Sequence, residues 1–224
     1  MGVAMGLTAI VLIHSSLGRR SGAHMNPAVT LTFWRLGKIS AADTLMYVLA
    51  QIAGGVSGIV FATLILGELP ADPSVNYVAT VPGSAGVAIA VVAEGAISFG
   101  MMFVVLLISN DVRLTRSTGL CAGALICTYI VIEAPLSGMS MNPARSLGPA
   151  LLAGSIDSLW IYVVGPLAGM LLAAEAYVRL RGRGAVLCAK LDHSSTAPCI
   201  FRCRIGAWTG THRESARGRN EVLA

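Results

Sequence analysis

Two stretches of this chain carry residues whose types and spacing can do chemistry. The first is an octapeptide that occurs twice, as Ser21-Gly22-Ala23-His24-Met25-Asn26-Pro27-Ala28 and, 116 residues later, as Ser137-Gly138-Met139-Ser140-Met141-Asn142-Pro143-Ala144. Asn followed by Pro starts a helix: the Asn side chain caps the exposed amides, and Pro, which has no N–H, sits at the first helical position without loss. Such an N-terminus presents the positive end of the helix dipole, so it offers hydrogen bonds to a neutral guest and repels cations. Arg145, three residues past Asn142, adds a fixed guanidinium fork. The second stretch is Cys188, His193, Cys199 and Cys203, spaced Cys-x4-His-x5-Cys-x3-Cys. Three thiols and an imidazole are the donor set of a tetrahedral structural zinc site; the alternative is a group of reduced thiols on a disordered or membrane-surface tail.

The elements that must position these residues are membrane spans. Of the 224 residues 55% are hydrophobic and 12% charged, with a mean hydropathy of +0.73. An ordinary soluble domain carries a charged share of about 25%. Runs that can cross a hydrocarbon core, which takes about 20 residues as helix, cover 1–17, 44–66, 85–109, 117–136 and 158–179. Gly54-Gly55-Val56-Ser57-Gly58 and Gly165-Pro166-Leu167-Ala168-Gly169 suit helices that pack backbone against backbone in lipid, and they echo each other near the repeat offset. Cys121 and Cys127 fall within a span and read as small packing residues. Glu94 is the one acid deep inside a span, and acids there are functional by default. Glu133 and Glu175 lie near span ends, where they are expected to be solvated or paired, and His14 and His24 lie by the basic loops. No nucleophile motif or metal-ligand pair accompanies Glu94, so an intramembrane hydrolase has no support.

Lys and Arg keep loops on the cytoplasmic side. Arg19, Arg20, Arg35 and Lys38 follow the first span, Arg113 and Arg116 follow the third, and nine more lie from Arg179 to Arg219. The segment 67–84 has none, and 137–157 has Arg145 alone. Three spans separate the two Asn-Pro-Ala motifs, so the motifs enter from opposite faces and the repeat is inverted. Helices over 27–36 and 143–152 would each be about 15 Å long, half a bilayer. They can dip in but not cross, and their N-termini would meet near the midplane.

The doubled motif, its burial among spans and the Arg directly after the second Asn-Pro-Ala resemble the aquaporin or major intrinsic protein family over 1–179. The resemblance implies an all-α membrane protein, an aquaporin-like inverted-repeat helical bundle with five full transmembrane helices plus two re-entrant half-helices. It divides the chain into a channel domain over 1–181, with a first repeat truncated to 1–66 and a second over 85–179, and a basic Cys/His-containing cytoplasmic tail over 182–224. Family members open each repeat with a span whose buried Glu steadies a re-entrant loop. The span 85–109, with Glu94, resembles the second of these, whereas 1–17, with Gly6-Leu7-Thr8, resembles the span after the first. The first transmembrane helix is therefore expected to be absent, with the true start upstream or the product a fragment.

Further implications of the resemblance concern the pore. Asn26, Pro27, Ala28, Asn142, Pro143 and Ala144 are implied as pore motifs, and Met5, Ile130, Met139 and Arg145 as the selectivity filter. Strict water channels place an aromatic where Met5 stands and a His where Ile130 stands, so the filter is similar to the nodulin-26-like branch, which passes small uncharged solutes as well as water. Ser146, Ala150 and Tyr162 differ from the glycerol facilitators. The expected function is a passive channel, not an enzyme, for water and possible small neutral solutes, with a homotetrameric assembly and no nucleic-acid partner. No cofactor is required, and zinc in the tail is the one candidate ion. The alternatives are a glycerol, urea or metalloid facilitator, or a non-conducting truncated product with a metal-binding regulatory tail. Short loops and the lack of a cleavable signal suggest a bacterial inner membrane. A cytoplasmic tail would face a reducing compartment, which disfavours a disulfide framework, and its Arg excess favours anionic lipid heads.

Overall fold

The computed structural model describes residues 1–193 and 199–205. Helices run as α1 (Gly2–His14), α2 (Ser16–Ser21), α3 (Pro27–Arg35), α4 (Ala41–Leu66), α5 (Val87–Ser109), α6 (Thr118–Ile132), α7 (Ala134–Ser137), α8 (Pro143–Ala153) and α9 (Ile161–Arg181), and no strand occurs among the described residues. Among the described residues four segments are long and apolar enough to cross a membrane: Ala41–Leu66, Val87–Ser109, Thr115–Ile132 and Ile156–Arg181. The remaining expected span, 1–17, is divided. Its helix α1 stops after 13 residues, because Ser15 takes an extended conformation and its side chain accepts from Gly18 N, capping α2.

The helices α3 and α8 are the two half-helices, and their starts follow from the local chemistry of Asn-Pro. Asn26 Oδ1 accepts from Ala28 N at 2.9 Å, Asn142 Oδ1 accepts from Ala144 N at 3.1 Å, and Pro opens both helices. The half-helix of each repeat leans on the long helix of the other, α3 on α9 and α8 on α4. Glycine permits that approach: a Cβ on Gly148 would sit 2.6 Å from Gly55 O, and one on Gly55 would run into Ala144 O. The same device joins α1 to α6, where a Cβ on Gly6 would lie 2.5 Å from Gly123 O.

The two echoing glycine patches have different surroundings. On α9, a Cβ at Gly165 would lie 2.8 Å from Glu94 Cβ, and one at Gly169 would run into Gly95 O of α5. On α4, Gly54 and Gly58 have no neighbour within 4 Å, and Thr44 is the helix's buried residue. One face of α4 is thus open among the described residues where the equivalent face of α9 is closed by α5.

In its described part the tail departs from the alternative of a disordered or surface segment. Its run Val186-Leu187-Cys188-Ala189, with Leu191, is buried on the side of the basic loops. No helical period marks this run, because its backbone is held by side chains and loops instead of by itself. Leu187 N and Cys188 N donate to Asn110 Oδ1 at 2.6 and 3.1 Å, Leu191 N donates to Gly22 O, and Arg202 N donates to Lys38 O. Arg19 pairs with the buried Asp192 at 2.9 Å.

Replacing Gly169 by Leu forces a side chain into the α5 backbone and is expected to cost about 1–3 kcal/mol or more of stability. Gly58→Leu, on the open face, is expected to change stability by no more than about 0.5 kcal/mol. Thermal melting of both variants in detergent checks the contrast.

Candidate pore

The approach to each half-helix is built from a pair of left-handed residues at equivalent repeat positions. Gly22 and Ala23 have φ of 80° and 61°, and Gly138 and Met139 have 83° and 51°. Glycine takes this conformation freely, while Ala23 and Met139 each carry a penalty of about 1–2 kcal/mol that the surrounding contacts must offset. These turns bring the two Asn residues together. Asn26 Nδ2 donates to Met141 O at 2.6 Å, and Asn142 Nδ2 donates to Met25 O at 2.8 Å. Each amide therefore ties itself to the residue before the other Asn. A carboxamide NH2 has two hydrogens, so each Asn keeps one further donor for a guest.

Different groups hold the two loops. Glu94, fully buried on α5, accepts from Ser137 Oγ and Ser140 N at 2.7 Å and from Met141 N at 2.8 Å. Tyr162 Oη donates to Ser137 O at 2.6 Å, and Ser146 Oγ bonds to Ser140 Oγ at 2.5 Å and Thr80 Oγ1 at 2.7 Å. The first loop is held by neutral groups. Gln51 Nε2 donates to His24 O and Thr30 Oγ1 at 2.8 and 2.9 Å, Tyr47 Oη donates to Ser21 O, and His24 Nε2 bonds to Ala189 O of the tail at 2.8 Å. His24, placed by the sequence beside the basic loops, is buried there, covered by Ala189 and Phe201 of the tail.

One cavity of about 530 Å³ is lined by Asn26 and Asn142 and by Met5, Ile130, Met139 and Arg145. Arg145 Nη1 is buried with no hydrogen-bond partner among the described residues, which leaves donors available to a guest. The remaining motif residues lie elsewhere. Pro27, Ala28 and Pro143 line a separate apolar cavity of about 240 Å³, and Ala144 packs on Gly55. Those residues shape the half-helix starts; the Asn residues face the cavity. Tyr77, Val78 and Ala79 at one end and Leu191 at the other also line the cavity, and no sequence pattern marked them. In the tail, Cys188, His193, Cys199 and Cys203 come together with ligand atoms all within 4.8 Å of one another.

Glu175 is paired, as expected near a span end, with Arg179 at 3.4 Å and Arg35 at 3.9 Å. Glu133 is neither solvated nor paired. It is 4% exposed, and both carboxyl oxygens lack a partner among the described residues. Burial pushes its carboxyl up to about 7, against an opposing pull from the Ser137 hydroxyl and with a smaller upward push from the nearby Glu94 carboxyl.

Comparison with known proteins follows the same lines. The profile described as major intrinsic protein matches residues 1–177. A probable NIP-type aquaporin of Nicotiana alata is 38% identical over 181 residues, covering 80% of this chain and 64% of that protein. Aquaporin NIP1-1 of Zea mays is 38% identical over 185 residues, covering 81% and 62%. The chain spans a little under two thirds of the length of these relatives. Among solved structures, the aquaglyceroporin from Plasmodium falciparum superimposes with a TM-score of 0.67 at 19% identity, covering 82% of this chain and 81% of that one, and shares its fold. The relatives named are plant proteins, so the expectation of a bacterial membrane finds no support in them.

Glu94→Gln replaces one carboxylate oxygen by an NH2 group, which then faces either the Ser140 amide or the Met141 amide, so a buried donor meets a donor whichever way the side chain is turned. The expected loss is about 3–5 kcal/mol, the range for breaking a buried charged network, read by thermal melting in detergent. For Glu133 the folded carboxyl binds its proton more tightly than the ordinary value of 4.5 allows. Its stabilising contribution is full below about 4.5 and is lost as pH rises through about 7. The difference in melting temperature between wild type and Glu133→Gln is expected to move in the variant's favour across that window, and a pH-independent difference would show the carboxyl to be solvated.

Proposed function

The chain belongs to the major intrinsic protein family, a family of channels, as an integral multi-pass membrane protein, and we propose that its cavity conducts water and small uncharged solutes in single file and carries out no enzymatic chemistry. The observation that carries this proposal is the meeting of two Asn-capped half-helices whose side chains line the same cavity as Arg145. A water at that point accepts from Asn26 and Asn142 together. Its oxygen is then saturated and its hydrogens point away from both neighbours' donors, which breaks a proton wire. The positive ends of both half-helices and the Arg145 guanidinium oppose cations.

Three of the four proposed filter residues, Met5, Ile130 and Met139, are apolar, and Arg145 supplies the polar contact. A solute with carbon surface loses less on entering such a constriction than it would against a polar wall. Glycerol and urea therefore join water as proposed permeants, and the names of the related proteins, NIP-type aquaporins and an aquaglyceroporin, agree with that class. A homotetramer with one pore per protomer is the proposed assembly. A second proposal, that the described residues alone do not conduct, is favoured by the open face of α4 at Gly54 and Gly58. In lipid, polar groups exposed through an incomplete wall cost several kcal/mol each.

Stopped-flow osmotic response of proteoliposomes separates the two. Fast shrinkage in sorbitol, altered by Asn142→Asp, supports the channel; a response no faster than empty liposomes, with insertion verified, supports the second proposal. Ile130→His narrows the filter and restores a polar wall. It is expected to lower glycerol and urea permeability about tenfold, equivalent to about 1.4 kcal/mol of barrier, with a smaller effect on water.

A further inference from the structure

We propose that Cys188, His193, Cys199 and Cys203 bind one zinc ion, and that this ion staples the tail across the cytoplasmic mouth of the cavity. The proposal does not depend on what the pore conducts. With Zn–S near 2.3 Å and Zn–N near 2.0–2.1 Å, a tetrahedral site places neighbouring ligand atoms about 3.5–3.8 Å apart. Cys188 Sγ and Cys199 Sγ are 3.4 Å apart, Cys203 Sγ and His193 Nε2 are 3.5 Å apart, and all four ligand atoms fall within 4.8 Å. The set is shielded: Cys188 is buried and the other three are half-buried.

The surroundings suit a zinc-bound thiolate. Lys190 N points at Cys188 Sγ from 3.4 Å, an amide-to-sulfur bond of the kind that orients metal ligands. Asn110 Oδ1 fixes the backbone at Leu187 and Cys188. His193 turns Nε2 toward Cys203 Sγ, so that nitrogen is the one presented to the ion. Binding displaces a proton from each of three thiols to solvent, leaving zinc with three thiolates at a net charge of −1. Lys38, whose Nζ donates to Leu187 O at 3.3 Å, brings positive charge beside that site.

The ligands bracket the two stretches of tail that touch the pore loop. Between Cys188 and His193 lies Leu191, which lines the inner end of the cavity and bonds to Gly22 O. Between Cys199 and Cys203 lies Phe201, whose ring stacks on His24 at 5.2 Å, and Arg202, which bonds to Lys38 O. One ion thus joins both contacts directly, where otherwise the first stretch is held by hydrogen bonds, the Arg19–Asp192 ion pair and apolar packing, and the second by the Phe201 stacking and hydrogen bonds.

The test uses the full chain, purified without chelator and then offered zinc under reducing conditions. Elemental analysis is expected to give one zinc per chain, retained in Cys121→Ser/Cys127→Ser and in His193→Cys, and lost in Cys199→Ser/Cys203→Ser. Cobalt substitution of the wild type is expected to show thiolate charge-transfer and intense tetrahedral d–d bands, which keeps the test valid if the double variant misfolds. Removing zinc with a chelator is expected to raise trypsin cleavage after Arg202 and Arg204 about tenfold while the helical body stays intact. No zinc uptake above the double variant, or a Cys188–Cys199 disulfide formed in place of zinc uptake, overturns the site. Loss of zinc with unchanged cleavage overturns the staple.

Discussion

Two hydrogen bonds hold the arrangement together: Asn26 Nδ2 to Met141 O, and Asn142 Nδ2 to Met25 O. They join two helices of 9 and 11 residues that would be marginal alone and whose like dipole ends face each other. Each Asn does three things with one side chain. Its oxygen caps its own helix, one N–H ties the opposite loop, and the other N–H remains for a guest. Moving either loop by a hydrogen-bond length would break a cap, a tie and a binding position at once. The left-handed turns at Gly22-Ala23 and Gly138-Met139, the Glu94 bonds and the glycine contacts of α4 and α9 all serve to hold those loops in register.

The two halves reach the same geometry by different chemistry. In the second half a buried carboxylate on α5 takes three donors from one loop. Charge-assisted bonds of that kind are about twice as strong as neutral ones, so this loop is rigid from within the bundle. The first loop depends on the Gln51 amide and on a tail carbonyl, that of Ala189, which accepts from the buried His24. Its order is therefore coupled to the seating of the tail. A feature that fixes the tail also fixes the first half-helix, which gives the convergence of three thiols and an imidazole there a structural consequence for the pore.

Much of this was legible in the sequence where local chemistry decides. Asn-Pro starts a helix by capping and by the fixed φ of Pro, so α3 and α8 begin where the motif places them. The inverted repeat followed from charge and an odd number of spans, and Glu94 stood out because an acid deep in a span needs partners. Tertiary contact hid the rest. Nothing local distinguishes Gly58 from Gly169, yet one is open and the other is pressed on Gly95. Glu133 looked interfacial by position, and only the fold reveals that both its oxygens are enclosed. Tail residues 186–191 have no helical or strand period because Asn110, Gly22 and Lys38 supply their partners from far along the chain. The Cys and His spacing identified a donor set, but its seat at the inner mouth depends on those same distant partners.

In the channel proposed above, the charges would divide the work of selection along the cavity. The meeting point of the half-helices presents two positive helix ends and two amide donors, which on that reading would discriminate by charge and by proton transfer. On the proposed reading they would not distinguish water, glycerol and urea, because each offers an oxygen that can accept. Discrimination among neutral guests must then come from shape and polarity elsewhere, at Met5, Ile130 and Met139, where no side chain offers a hydrogen bond. Arg145 is the exception there, and its buried Nη1 has no partner among the described residues, a cost that a passing carbonyl or hydroxyl oxygen relieves. In the proposed channel, an apolar lining with one unsatisfied cationic donor would suit a guest that is part carbon surface and part oxygen.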